Sequence, residues 1–165
     1  MILNKNKSQT GIVMKVAGEE LENRLGRFQA AAREKGIKLT HQRLEIFREV
    51  AASLEHPDAE AIHKALHPRL PTVSLDTVYR TLWLLNDLGL VATLGPRRES
   101  VRFDANTKPH HHYICVRCGL ARDFESDELS RIPVPESVRC FGSVVSKHVE
   151  VRGVCEKCAK ELAEG

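Results

Sequence analysis

Two Cys-x-x-Cys pairs, Cys115/Cys118 and Cys155/Cys158, stand at the two ends of the C-terminal third of this 165-residue chain. Each pair of thiolates offers two corners of a tetrahedron, and four sulfurs satisfy Zn²⁺ completely. A fold that uses all four must bring the two ends of this segment together and close everything between them into one small unit. Such a staple is physically useful in a short chain, because small domains bury a low fraction of their surface. A closed site of this kind is structural, so the run His110-His111-His112 just before the first pair points to a second, different centre. A thioredoxin-like redox role needs only one such motif after a βα unit. The fifth cysteine, Cys140, has no close partner and reads as a buried or idle thiol.

The chain lacks any run of 18 or more apolar residues, and its N-terminus lacks the apolar core of a signal peptide. The expectation is therefore a cytoplasmic protein with no membrane partner, where paired cysteines serve as metal ligands rather than disulfides. The net charge of +3 argues only weakly for nucleic acid. Residues 1–19, 20–103 and 104–165 carry 3 basic and 1 acidic, 13 and 11, and 9 and 10 residues, leaving +2, +2 and −1. A case for DNA binding must rest on where basic groups point.

Residues 1–19 show no clear period and read as an arm. From Glu20, Leu21, Leu25, Phe28 and Ala32 mark one helical face that Gly36 ends. Thr40 caps a second helix striped by Leu44, Phe47, Ala51 and Leu54, and His56-Pro57-Asp58 breaks it. A third helix carries Ala59, Ile62 and Leu66. Ser74 caps a fourth, SLDTVYRTLWLLNDLG, with Leu75, Val78, Leu82 and Leu85 inward and Asp76, Thr77, Tyr79 and Arg80 outward. Two strands, LVATL and SVRFD, follow around a turn at 95–99. This is the winged-helix order, over residues 20–103. Residues 104–165 read as a small α/β unit: strands HYICV and LARDFES about the first cysteine pair, a short helix within 127–138, and a long alternating strand at 143–155. A final helix follows at 159–163. The fold class expected is α+β, with an N-terminal winged helix and a small C-terminal α/β domain whose strand edges could pair across a dimer.

A looser constellation is His56, Asp104, His110, His112 and Asp123. Alternate residues of a strand share a face, so His110 and His112 can address one ion while His111 points away. His56 comes from the helical part, so an ion held there would clamp the two parts together. Imidazoles plus carboxylates suit Fe²⁺, Mn²⁺ or Zn²⁺, and the pattern does not choose among them. Spacing alone leaves open the plainer alternative of surface histidines beside a loop. On the fourth helix Thr77, Tyr79 and Arg80, with Arg97 and Arg98 on the hairpin tip, are residue types that reach bases and phosphates. A solvated helix face and an exposed turn are the plainer alternative there.

Taken together, LTHQR (39–43), HPDAEAIHKAL (56–66), SLDTVYRTL (74–82), RFD (102–104), HHHYICVRCG (110–119) and GVCEKC (153–158) resemble the ferric uptake regulator family of metal-dependent repressors. The resemblance implies a homodimer that grips double-stranded operator DNA when its regulatory metal is bound, and no enzymatic activity. It implies structural Zn²⁺ on Cys115, Cys118, Cys155 and Cys158, and regulatory Fe²⁺ or Mn²⁺ on His56, Asp104, His110, His112 and Asp123. Aspartates at 104 and 123, where iron-uptake members usually carry glutamates, make the chain similar to the peroxide-sensing members. In those members iron-catalysed oxidation converts a ligand histidine to 2-oxo-histidine, and His56 and His110 are the matching positions. A further metal site found in many members is expected to be missing, since Pro109, His111 and Lys147 stand at its places. The rival reading within the family is reversible iron or zinc control, for which Arg80 after the helix tyrosine speaks. A metallo-enzyme is the distant alternative, and it needs an acid or base and a substrate cleft that the sequence does not mark.

Overall fold

The computed structural model describes residues 16–94 and 101–163. The hairpin-tip arginines Arg97 and Arg98, and residues 1–15 of the arm, lie outside them. Four helices come first: α1 (Gly18–Glu34), α2 (His41–Ala52), α3 (Ala59–Leu66) and α4 (Leu75–Asp87). Three begin on side-chain caps. Thr40, Asp58 and Ser74 accept from the N–H of Arg43, Ala61 and Thr77 at 3.3, 2.7 and 3.2 Å, satisfying donors that the first helical turn leaves free. Gly36, at φ 65°, ends the α1 segment with the Ile37 N–H bonded to the Ala32 carbonyl. α1 starts at Gly18 rather than Glu20, and the Val16 N–H donates to the Ala52 carbonyl at 2.8 Å. The described end of the arm is thus tied to α2. α2 stops at Ala52, so Leu54 falls beyond it.

The helices bury one core. Phe28, Phe47, Ile62, Leu66, Val78, Leu82 and Leu85 are fully covered, and the rings of Phe28 and Phe47 sit 4.9 Å apart. A short hairpin closes it: β1 (Ala92–Leu94) pairs antiparallel with β2 (Arg102–Asp104), and Phe103 points inward from β2. β2 also reaches back to the α2–α3 loop. The Phe103 N–H donates to the Pro57 carbonyl at 3.0 Å, and Asp58 bridges Arg102. That contact sets His56 beside Asp104.

The second unit is a three-stranded sheet in the order β4-β3-β5, made of β3 (His111–Cys115), β4 (Ala121–Phe124) and β5 (Glu150–Gly153). β3 runs antiparallel to β4 and parallel to β5. Instead of one helix within 127–138 there are two, α5 (Asp127–Arg131) and α6 (Glu136–Arg139). Pro133 and Pro135 separate them, since proline cannot continue a helix. The last helix, α7 (Glu156–Ala163), starts inside the second cysteine pair.

The long strand expected at 143–155 is corrected to the four residues of β5. Upstream of Glu150, whose partner on β3 is His112, no strand lies alongside among the described residues, and alternation without a paired edge does not make a strand. Phe141 and Val145 there are 89% and 96% exposed. Cys140 is exposed too, which removes the buried alternative of the expectation for that thiol. Among the described residues no helix is long and apolar enough to cross a membrane.

Leu82 sits wholly inside the helical core, so Leu82→Ala should cost about 2–5 kcal/mol of stability, read as a lower urea midpoint. A change below about 0.5 kcal/mol would contradict this packing.

Candidate metal centres

All four paired thiols converge: the sulfurs of Cys115, Cys118, Cys155 and Cys158 lie within 4.8 Å of one another, and none is in a disulfide. Cys118 and Cys155 Sγ are 3.7 Å apart. That is close to the edge, about 3.8 Å, of a tetrahedron with Zn–S bonds of about 2.3 Å. The backbone builds this cradle. Gly119 turns the knuckle at φ 70°, its N–H bonded to the Cys115 carbonyl at 2.9 Å; parallel pairing of Gly153 on β5 with Cys115 on β3 then sets Cys155, two residues on, where its N–H donates to Cys115 Sγ at 3.3 Å. Hydrogen bonds from the N–H groups of Cys118 and Cys155 pull the Cys115 thiol down to about 6, whereas burial and the neighbouring thiols push Cys158 up to about 12. The four cannot all ionise together without a cation among them, and Zn²⁺ fits this donor set.

The second cluster joins the two units. His56, Asp104, His112 and Asp123 each place a ligand atom within 4.8 Å of the others. His110 completes it, its Nε2 2.8 Å from Asp104 Oδ2 and 3.6 Å from Asp123 Oδ1. Three features of the fold produce this convergence. Antiparallel pairing sets His112 opposite Asp123, so both side chains share one face of the sheet. His110 lies two residues before His112 and shares that face. β2 ends in Asp104 and holds the loop that carries His56.

His56 adopts φ 48°, a left-handed conformation that a residue with a side chain adopts only under constraint. The constraint is visible: Arg102 Nη1 donates to the carbonyls of Glu55 and His56 at 3.4 and 3.3 Å. His56 then reaches Asp123 Oδ1 at 2.6 Å through Nε2 and Asp104 Oδ1 at 3.5 Å through Nδ1. His111 faces away. Its Nε2 lies 3.2 Å from Ser130 Oγ, and its Nδ1 accepts the Val149 N–H at 3.2 Å.

The electrostatics are those of groups waiting for positive charge. Burial alone would raise the Asp104 carboxyl, but hydrogen bonds from His110 and His112 and the charge of His56 hold it well below the usual carboxylate range. Asp123 is likewise lowered, by His56 and Asn106 acting against burial. His110, bonded to Asp104, is raised to about 9 despite burial. Its Nδ1 donates to the Lys108 carbonyl at 2.7 Å, which turns Nε2 inward. His110 and His112 Nε2 approach to 2.8 Å, a contact between two ring nitrogens that only a shared proton or cation can satisfy. Buried His112 Nδ1 makes no hydrogen bond. Three imidazoles and two carboxylates fit a divalent ion of the iron or manganese type.

On the face of α4, Arg80 is exposed and pairs with Asp76 at 3.0 Å, and Thr77 Oγ1 lies 2.9 Å from Ser74 Oγ. Tyr79 departs from the sequence expectation: it is half-buried against the core, and burial raises its hydroxyl pKa. A shallow cavity of about 380 Å³ beside Thr77 and Arg80 is lined also by Lys38, Thr40, Gln42 and Arg43. Thr40, Gln42 and Arg43 belong to the LTHQR segment and Lys38 directly precedes it. The signal available was two basic residues flanking a helix N-terminus.

Residues 34–152 match the ferric uptake regulator family. The chain is 37% identical over 145 residues to the peroxide-responsive repressor PerR of Staphylococcus aureus strain Mu50, covering 88% of this chain and 98% of that protein. The fold resembles the Helicobacter pylori ferric uptake regulator Fur with a TM-score of 0.68 at 23% identity, covering 90% of this chain and 97% of that one. It also resembles a zinc-bound manganese uptake regulator, with a TM-score of 0.59 at 29% identity, over 78% of this chain and 98% of that one.

The His110–Asp104 pair sets a pH dependence for the metal-free cluster. Raising a histidine from 6.5 to about 9 stabilises the fold fully below 6.5, and that contribution is lost as pH rises through about 9. The stability difference between the wild type and His110→Gln should therefore shrink between pH 6.5 and 9 in urea titrations. A difference that grows over this window would contradict the pairing.

Proposed function

The chain belongs to the ferric uptake regulator family, and on that premise we propose that it is a peroxide-sensing, metal-dependent repressor that grips operator DNA as a homodimer. One observation carries the reading: three histidines and two aspartates converge on one point, and His56 comes from the helical unit while His112 and Asp123 come from the sheet. An ion on these five residues ties the DNA-reading unit, residues 20–103, to the dimerising unit, residues 104–165. Zn²⁺ on the four cysteines holds the sheet unit folded, and the regulatory ion is Fe²⁺ or Mn²⁺.

When bound, Fe²⁺ supplies the electron for reducing peroxide, which Mn²⁺ does not readily do. The protein's part is to hold ligand rings where the resulting oxidant strikes them. His56 and His110 are the targets, each becoming 2-oxo-histidine by gain of one oxygen. A damaged His56 no longer bonds across the units, so the two reading heads lose their spacing and leave DNA. In this reading Thr77 and Arg80 of α4 face the DNA, with the half-buried Tyr79 between them offering at most its hydroxyl edge, joined by Arg97 and Arg98 of the hairpin. Lys38 and Arg43, beside the same cavity, supply phosphate contacts. The carboxylates support the peroxide sense: a short aspartate at both positions, in a chain 37% identical to a protein named a peroxide-responsive repressor. Likeness to a manganese uptake regulator favours the rival, reversible control by metal level alone.

Mass spectrometry of tryptic peptides after one equivalent of peroxide separates the two. Added oxygen on the His56 or His110 peptide, in the Fe²⁺ form only and in step with loss of DNA binding, is the expected result. Unmodified histidines with DNA binding intact would leave metal level as the signal.

A further inference from the structure

Between β2 and β3 the chain runs Ala105-Asn106-Thr107-Lys108-Pro109-His110. Asn106 touches both carboxylates of the second cluster. Its backbone N–H donates to Asp104 Oδ1 at 2.7 Å, and its side-chain Nδ2 donates to Asp123 Oδ2 at 3.1 Å. The amide is itself oriented, because its Oδ1 accepts the Lys108 N–H at 3.3 Å. The opposite oxygens face the histidines closely, while Asp104 Oδ1, held by the Asn106 N–H, also lies 3.5 Å from His56 Nδ1. Asp104 Oδ2 lies 2.8 and 3.4 Å from Nε2 of His110 and His112, and Asp123 Oδ1 lies 2.6 Å from Nε2 of His56.

We infer that Asn106 is a positioning residue that divides each carboxylate into an outer oxygen, tied back to Asn106, and an inner oxygen, offered to the ion. The inference rests on the reading of this cluster as the regulatory metal site. A carboxylate can bite a cation with one oxygen or two, and a charge-assisted hydrogen bond to one of them competes with the second bond. With both outer oxygens occupied, the aspartates supply two donors rather than four. With three imidazoles, five donors would be available to an ion held here. Asn106 lies in neither cysteine pair nor the histidine run, and its side chain is too far along the chain from Asp123 for any spacing rule to pair them.

The test is a double-mutant cycle read by Mn²⁺ titration of the zinc-loaded full chain, with free Mn²⁺ followed by electron paramagnetic resonance. Asn106→Leu is expected to weaken Mn²⁺ binding about tenfold and to change the spectrum of the bound ion. In the Asp123→Ala background the same substitution should add nothing, because the residue through which Asn106 acts is gone. A merely structural role would give the same loss in both backgrounds, and that result overturns the inference, as does an Asn106→Leu affinity within twofold of wild type. Retention of one zinc per chain verifies folding. Should Asn106→Leu lose its zinc, Asn106→Ser, which keeps an acceptor for the Lys108 N–H, carries the same cycle with the same expected and contrary results. Failure of the wild type to bind Mn²⁺ would instead overturn the reading of the cluster itself, and this inference with it.

Discussion

A contact of 2.6 Å between His56 and Asp123 joins the helical unit, which holds the hydrophobic core, to the sheet unit. Everything around it exists to bring those two side chains together. Pro57 accepts a hydrogen bond from β2, Arg102 holds the carbonyls of Glu55 and His56, and His56 accepts a backbone conformation that costs energy. Strain at such a point is stable only when the surroundings fix it. Here it lies where an ion would exert its pull between the two units.

The four-thiol knuckle does the complementary work. It fixes the end of β3 against β5, and β3 carries His112 in register with Asp123. Arg102 passes close to the knuckle: its Nη2 lies 3.2 Å from where a side chain on Gly119 would begin, so glycine there leaves it room. A rigid, closed site thus supports an adjustable one. The division agrees with the chemistry of the donors: thiolates bind a soft ion tightly, while imidazole and carboxylate release a harder ion more readily.

Much of this was legible in the residues themselves. The caps Thr40 and Ser74, the buried faces of α1, α3 and α4, and the two cysteine pairs are local signals, and local signals survive into the fold. The alternation at 143–155 does not make a long strand because a strand is defined by its partner, and among the described residues none pairs beside Val144 and Val145. Tyr79 was placed outward by helical phase, yet its ring is large enough to fold back over the core. Asn106 was invisible for a different reason. Its role depends on which oxygen of Asp123 faces which way, a matter of three-dimensional geometry that no periodicity encodes. The linkage of α1 to the same segment, through Glu20 to Lys108 and Arg27 to Thr107, was hidden likewise.

On the proposed reading, an ion at His56, Asp104, His110, His112 and Asp123 draws the helical and sheet units into one arrangement. Small-angle X-ray scattering of the zinc-loaded protein, with and without Mn²⁺, tests it directly. Mn²⁺ is expected to shrink the radius of gyration of the wild type and to leave that of His56→Ala unchanged. Identical scattering in the two states of a wild type that has bound Mn²⁺, or equal compaction in His56→Ala, would contradict it.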